Sequence, residues 1–387
     1  MLALISRIQT GVVLLNFLMP RPWIPRLLVC LLAPAVFGQT SKLNLSTGKD
    51  IFRAACAGCH GPDGKGAPDT QVGFEKPETF PDFTRCDQTT PELDLDWKAI
   101  IRDGGRGRGF SPIMPSFRDA LTPAQIDLVI GYLRSFCRNP KWPRGELNLP
   151  RAISTEKAFP EDETVLTTSF NAQGSAGVEN SLVYEHRLTA RNQMEVSVPF
   201  AFSRDSGRWL GGIGDIGVGL KRILVGNAHT GTIFSVQGEV ILPTGSRDKG
   251  FGTGVTVFET FGTVGQILPG NSFLQAQLGM ENPTHTSTAP RAVYWRTALG
   301  KSFREGQGVG RMWSPIVELL ADRDLLTGAK TNWDVQPQFQ VTLNRRQHIR
   351  ANVGVRLPAS NREGRSAQIV FYLLWDWFDG GLLEGWK

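Results

Sequence analysis

The stretch Asn332-Trp333-Asp334-Val335-Gln336-Pro337-Gln338-Phe339-Gln340-Val341-Thr342-Leu343-Asn344 alternates without a break, apolar at every odd position from Trp333 to Leu343 and polar at every even one. A period of two places the apolar side chains on one face of a β-strand and the polar ones on the other. Met194, Val196, Val198, Phe200 and Phe202 repeat the pattern against Gln193, Glu195, Ser197 and Ser203. Ile349, Ala351, Val353, Val355 and Leu357 oppose His348, Arg350, Asn352 and Arg356, while Leu182, Tyr184, His186 and Leu188 oppose Ser181, Glu185 and Arg187. About twelve such segments begin near 163, 177, 192, 211, 232, 253, 271, 290, 311, 332, 348 and 367, separated by polar or Gly/Asn turns. Their length, about 10–13 residues, suits strands that cross a membrane at a tilt.

A soluble sandwich also alternates, but its strands are shorter, about 5–6 residues. The polar faces here carry Asp215, Lys221, Glu239, Glu318, Asp334, Arg350 and Arg356, as a wet lumen would. Trp313, Trp333, Trp375 and Trp377 end the apolar faces, where a membrane interface favours them. Residues 162–387 are therefore expected to form an antiparallel transmembrane β-barrel of about 12 strands.

The residues before it have another character. Ala55-Cys56-Ala57-Gly58-Cys59-His60 spaces two thiols and an imidazole as covalent attachment of a c-type haem requires. A thioredoxin-like pair or half of a zinc site are the alternatives for Cys56 and Cys59. The first wants a βαβ context and the second another ligand pair, and neither is present. The other four histidines, His186, His229, His285 and His348, lie far downstream, so a second axial ligand is sought among methionines. Met114, in the Gly/Pro-rich run Gly104 to Pro115, is the one methionine between the motif and residue 150. A gap-filling methionine is the alternative, although such a residue more often lies in a periodic run.

Three helices are expected around these residues. Ser46 to Ala57 carries Ile51, Phe52 and Ala55; Glu92 to Arg102 carries Leu95, Ala99 and Arg102. The third starts at Thr122, with Gln125 as capping-box partner, and runs Ile126, Val129, Ile130 and Leu133 along one stripe. Residues 46–138 thus resemble a class I cytochrome c domain, matching in Cys56, Cys59 and His60, in the Met114-Pro115 loop and in the closing helix. The resemblance implies His60 as proximal and Met114 as distal ligand of haem iron. Cys86 and Cys137 depart from the simplest members and could pair with each other, or remain as buried thiols.

Around the two domains the chain offers a leader over 1–38 and a linker over 139–161. Arg21 and Arg26 precede the apolar run Leu27 to Ala33, which spans 12 residues through Gly38, against about 20 for a spanning helix. A cleaved export signal is expected, which would remove Cys30 and deliver the chain to a compartment where disulfides persist. Pro140, Pro143, Pro150 and Pro160 among polar residues make 139–161 a linker or wrapping segment. Gly177 to Leu224, with Tyr184-Glu185, Pro199-Phe200 and Gly212 to Gly217, resembles the barrel family associated with the meta-pathway of phenol degradation. That resemblance implies passage of aromatic or other small organic compounds. The strand Ile369 to Phe378 resembles a barrel assembly signal, although the chain runs on to Lys387.

The formal net charge of +6 includes Arg7, Arg21 and Arg26, and the remaining basic residues are dispersed, which argues against nucleic-acid binding. Arg102, Arg106, Arg108, Arg118 and Arg134 would give the helical domain a basic rim able to steer an acidic redox partner. Asp215, Glu318 and His348 belong to no nucleophile, base and orienter set; they are expected as lumen charges and a wetted strand residue, so no enzymatic activity is expected. The expected function is electron transfer by a periplasmic haem domain tethered to an outer-membrane barrel, with a periplasmic donor or acceptor protein and outer-membrane lipid as partners. The alternative is passage of a small organic solute, with the haem domain as an accessory.

Overall fold

The computed structural model describes residues 43–137, 139, 141–172, 177–205 and 207–377; the expected leader, with Cys30, lies outside the described residues. The barrel strands are β1 (Glu163–Asn171), β2 (Gly177–Thr189), β3 (Asn192–Asp205), β4 (Arg208–Ile213), β5 (Ile216–Asn227), β6 (Thr232–Leu242) and β7 (Val257–Leu268), followed by β8 (Ser272–Pro283), β9 (Ala292–Lys301), β10 (Phe303–Arg304), β11 (Met312–Asp324), β12 (Asn332–Thr342), β13 (Ile349–Pro358) and β14 (Gln368–Asp376). All pair antiparallel. β4 and β5 flank Gly214-Asp215 and pair in turn with β3, while β9 and β10 pair in turn with β11. Each couple is one interrupted strand, and the wall has twelve. It closes where β1 meets β14, from Glu163 opposite Asp376 to Asn171 opposite Gln368.

Burial is inverted relative to a soluble sandwich. On β12 the polar residues Asp334, Gln336 and Thr342 have no exposed surface, whereas Phe339 is 41% exposed. Leu278 is 68% exposed, Leu220 61% and Val353 53%. Apolar side chains point out of the ring and polar ones into it, which suits a wall surrounded by lipid.

The lumen is filled by the chain itself. Residues 147–162, expected as part of a linker, run inside the barrel, where Ala152, Thr155, Lys157, Ala158, Phe159 and Glu161 are at most 2% exposed. The segment 139–161, expected as a linker or wrapping segment, is thus buried against the wall from Leu147 onward. An irregular segment can be buried only if its backbone groups find partners, and the glutamine-rich inner wall provides them. Gln275 donates to Pro150 O at 2.9 Å and Gln340 to Arg151 O at 3.1 Å. Gln338 accepts from Ile153 N at 3.0 Å, Gln277 from Glu156 N at 3.1 Å and Gln193 from Glu161 N at 2.6 Å. An amide side chain both donates and accepts, so it can serve whichever backbone group faces it. Composition alone shows Pro-rich polar residues in 139–161; their partners, spread from β3 to β14, exist only once the ring has closed.

Charge is neutralised in the same place. Arg151 bonds Glu163 at 2.8 Å, Glu185 at 2.6 Å and Glu156 at 3.1 Å, and Lys221 reaches Glu185 at 3.3 Å. Glu318 accepts from Thr155 N at 2.7 Å and from Gln336 Nε2 at 3.1 Å, so it anchors the segment instead of facing open water. Asp215 is not a lumen charge: it accepts from Gly245 N at 2.9 Å and from Thr253 N at 2.7 Å, tying down loop 243–256 at the barrel's far end.

Before the barrel lie α1 (Gly48–Ala55), α2 (Ala57–His60), α3 (Asp69–Val72), α4 (Cys86–Thr89), α5 (Asp94–Asp103) and α6 (Pro123–Arg134). Thr47 caps α1, and Thr122 and Gln125 form the capping box of α6. α1 crosses α6 closely: a Cβ on Gly48 would stand 2.0 Å from Leu128 O. Ile51 and Phe52 of α1 pack there on Ile126, Val129, Ile130 and Leu133. Cys86 and Cys137 are bridged, with Cα atoms 5.2 Å apart, tying α4 to the chain just after α6.

Removing Arg151 would leave Glu163 and Glu185 buried without their shared cation, a change that typically costs about 3–5 kcal/mol. Arg151→Ala should therefore unfold at a lower temperature, followed by loss of β circular dichroism in detergent. An unchanged transition would show that the lumen network carries no stability.

Candidate functional site

The Cys56-Ala57-Gly58-Cys59-His60 run sits where α1 ends. Cys56 caps α1, and α2 continues at once through Cys59 to His60, whose N–H donates to Cys56 O at 2.9 Å. This single helical turn turns the imidazole inward while Cys59 stays exposed and Cys56 is half-buried. Phe80 stacks on the His60 ring with centroids 5.0 Å apart, and Phe83 lies at 5.1 Å. Burial pushes the His60 pKa down to about 4, so the ring is neutral at neutral pH and has a lone pair to offer. Among the described residues its buried Nδ1 has no hydrogen-bond partner. Burial, with Cys59 alongside, pushes the Cys56 thiol up to about 11.

Met114 reaches the same crevice from the loop after α5. Gly104 makes the approach possible, with a positive φ of 74° and a Cβ position only 2.9 Å from Met114 O. Gly105 N donates to Met114 O at 3.0 Å and holds the turn. Cys56, Cys59, His60 and Met114, scattered along the chain, thus line one cleft whose other walls include Phe52, Phe80, Phe83, Trp97, Ile100 and Phe117. Two thiols, a neutral imidazole and a thioether around an apolar slot are a donor set that fits a c-type haem.

The helical domain is docked on the barrel. α5 presents Trp97 and Ile100 to the crevice, while its Leu95, Ala99 and Arg102 side meets barrel turn 305–311. A Cβ on Gly308 would lie 3.2 Å from Leu95 Cγ and 3.4 Å from Ala99 Cβ, and Arg102 donates to Gly306 O at 2.8 Å. The stripe that the helical period picks out is therefore the face turned to the barrel; the side of α5 that faces the crevice is the adjacent one. Asp96 is 5% exposed and lies between Arg108 at 3.4 Å and the barrel's Arg304 at 3.3 Å.

These contacts dissolve the expected basic rim. Arg102 and Arg108 point into the junction, and Arg134 is half-buried against Trp97, 3.9 Å from the ring centroid, with Asp94 at 2.8 Å. Arg106 and Arg118 remain exposed, and Arg118 pairs with Asp103. His348 is also not a wetted strand residue: it is 5% exposed, pairs with Asp376 and lines the same crevice as His60 and Met114. Arg346, two residues earlier, lines it too. Sequence reasoning passed over both; the one signal available was consecutive arginines, Arg345-Arg346, in a turn otherwise expected to be short.

Residues 45–136 match the family model for cytochrome c. No curated protein matches the chain. Among solved structures, an outer-membrane channel from Pseudomonas putida F1 aligns at 12% identity over 59% of this chain and 100% of that one, with a TM-score of 0.40. The KdgM porin aligns at 9% identity over 56% of this chain and 99% of its own, with a TM-score of 0.36. LpxR from Salmonella typhimurium gives 7%, 56%, 100% and 0.39 for the same quantities. The chain is a cytochrome c-like domain followed by a closed twelve-strand antiparallel β-barrel.

The bridge between Cys86 and Cys137 closes a sequence separation of 51 residues around the crevice. A disulfide of this reach usually contributes about 2–4 kcal/mol. Cys86→Ser with Cys137→Ser should lower the thermal midpoint of the helical domain, read from its helical circular dichroism, and intact mass with and without reductant should differ by two hydrogens in the parent protein.

Proposed function

We propose that this protein is an electron carrier of the outer membrane: a cytochrome c domain on the periplasmic side, fixed to a barrel that anchors it and is filled by its own chain. The observation that carries the reading is the convergence of Cys56, Cys59, His60 and Met114 on one apolar crevice. Cys56 and Cys59 would attach the haem through thioether bonds, His60 would be the proximal ligand and Met114 the distal one. The bound group supplies one-electron redox chemistry, and a methionine ligand raises its potential. Held by His60 and Met114, the bound group would supply electron transfer and no substrate chemistry. Phe80 and Phe83 hold the His60 ring between them and keep water from it.

The barrel's part follows from its exposed apolar exterior and filled interior. Loops 243–256, 284–291 and 359–367 stand at one end, and the short turns 190–191, 228–231 and 269–271 at the other. The helical domain meets the short-turn end, which faces the periplasm in barrels of this kind. Passage of a small organic solute would require residues 147–162 to leave the lumen, and their hydrogen bonds and ion pairs support an anchor over a conduit. A single haem cannot span a hydrocarbon layer about 30 Å thick, so the reading gives it a periplasmic redox protein as partner.

Purified holoprotein should show covalently bound haem, and Met114→Ala should lower the midpoint potential and alter the optical spectrum. An unchanged potential and spectrum would remove Met114 from the iron. In cells, protease should reach the helical domain only after the outer membrane is opened; digestion on intact cells would overturn the orientation.

A further inference from the structure

The crevice that gathers the haem ligands is completed by the barrel. Arg346 and His348, in the turn between β12 and β13, are part of its wall. Arg346 is 9% exposed, its guanidinium lies 4.6 Å over the Phe110 ring, and its Nη2 donates to Gly109 O at 3.4 Å. From the helical side comes Arg108, 3% exposed. Its Nη1 donates to Gly308 O at 2.7 Å and its Nη2 to Arg346 O at 3.1 Å, and its buried Nε has no hydrogen-bond partner among the described residues. These two arginines therefore stand together where the domains meet, and among the described residues they are the only Arg or Lys side chains lining the crevice.

A c-type haem carries two carboxylates as well as an apolar ring. Withdrawn from water, a carboxylate is costly unless cations or donors receive it, and a guanidinium does so with paired N–H groups. The other charged groups on the wall are carboxylates: Glu78, Asp82 and Glu92, which repel an anion, and Asp96, which pairs with Arg108 at 3.4 Å and with the barrel's Arg304 at 3.3 Å; His348 on the same wall pairs with Asp376. The attachment side of the crevice is at Cys59, which is exposed.

We propose that Arg346 of the barrel and Arg108 of the helical domain together form the carboxylate-binding end of the haem site, so that the site is complete only when the two domains are docked. This rests on the haem reading above. It gives the barrel a role in setting the redox properties of the cofactor, and it turns the carboxylate edge toward the barrel mouth and the Cys59 edge toward the periplasmic solution. A redox protein that exchanges electrons would then dock on the Cys59 side, away from the lumen.

The test is a redox titration of the full-length, haem-loaded chain in detergent, comparing the parent protein with Arg346→Gln, Arg346→Lys and Arg106→Gln. Arg106 neighbours Arg108 in sequence but is exposed and is not part of the crevice wall, so its variant measures the effect of losing a nearby charge alone. Loss of a buried cation favours the more positive ferric state, so Arg346→Gln should shift the midpoint potential downward further than Arg106→Gln does. It should also make the potential depend on pH near neutrality, because a carboxylate without its cation titrates higher. Arg346→Lys should stay close to the parent. Equal, pH-independent potentials in Arg346→Gln and Arg106→Gln would overturn the proposal. Should Arg346→Gln fail to retain haem, Arg346→Lys decides: a parent-like potential supports the proposal, and a loss of haem as complete as that of the glutamine variant overturns it. Absence of a covalent haem mass increment in the parent chain would instead sink the haem reading itself.

Discussion

The pairing of β1 with β14 is the constraint from which the rest of the molecule follows. An open sheet with this pattern would present unpaired edges and an apolar face with nothing to cover it. Closing it gives every strand two neighbours, leaves the apolar face outside and gathers the glutamines, carboxylates and lysines into one interior. The seam also fixes the two ends of the barrel relative to each other. Glu163, the first strand residue, stands opposite Asp376 in the last strand, and Asp376 in turn holds His348 beside the crevice of the helical domain.

A polar interior made in this way needs something polar to fill it. The segment that leads from the helical domain to β1 starts at the short-turn end and lies within the ring, where its irregular backbone satisfies the glutamine side chains and its Arg151 and Lys157 offset the carboxylates of β1 and β2. Ion pairs so deeply buried are weak evidence for net stability, since desolvation opposes their attraction. Their effect is on specificity: Arg151 has one place in which Glu156, Glu163 and Glu185 are all in reach. Apolar contacts add to it, with Leu147 and Phe159 against Ile223 and Ile233, and Leu149 against Phe273 and Ile316.

Docking of the helical domain uses a different chemistry. Arg102 and Arg108 donate to backbone carbonyls of Gly306, Gly308 and Arg346, and Asp96 forms ion pairs with cations on both sides. Carbonyl acceptors lie in turns 305–311 and 343–348, the longest at this end of the barrel. Turns that would be two to four residues in a minimal hairpin are extended here where the other domain sits. The crevice therefore belongs to a junction, and the loop that carries Met114 is braced against the barrel wall.

The sequence by itself determined what is periodic or contiguous. The apolar and polar alternation placed β12 at Asn332 and marked about twelve strands, the stripe from Ile126 to Leu133 gave the closing helix, and the spacing of Cys56, Cys59 and His60 singled out the residues that meet in the crevice. What needed the tertiary structure was every property that depends on partners far along the chain. Composition could not tell a linker from a lumen filling, because the groups that satisfy Pro150 O and Thr155 N lie on strands that come together only when the ring closes. The helical period located a stripe on α5 but could not say that its partner was a barrel turn. His348 and Arg346 look like ordinary polar residues at a strand end until the closed wall carries them to the crevice of a domain that precedes them by more than 200 residues. Local pattern is written in neighbouring residues, whereas the site's second wall depends on a long-range closure that no local pattern encodes.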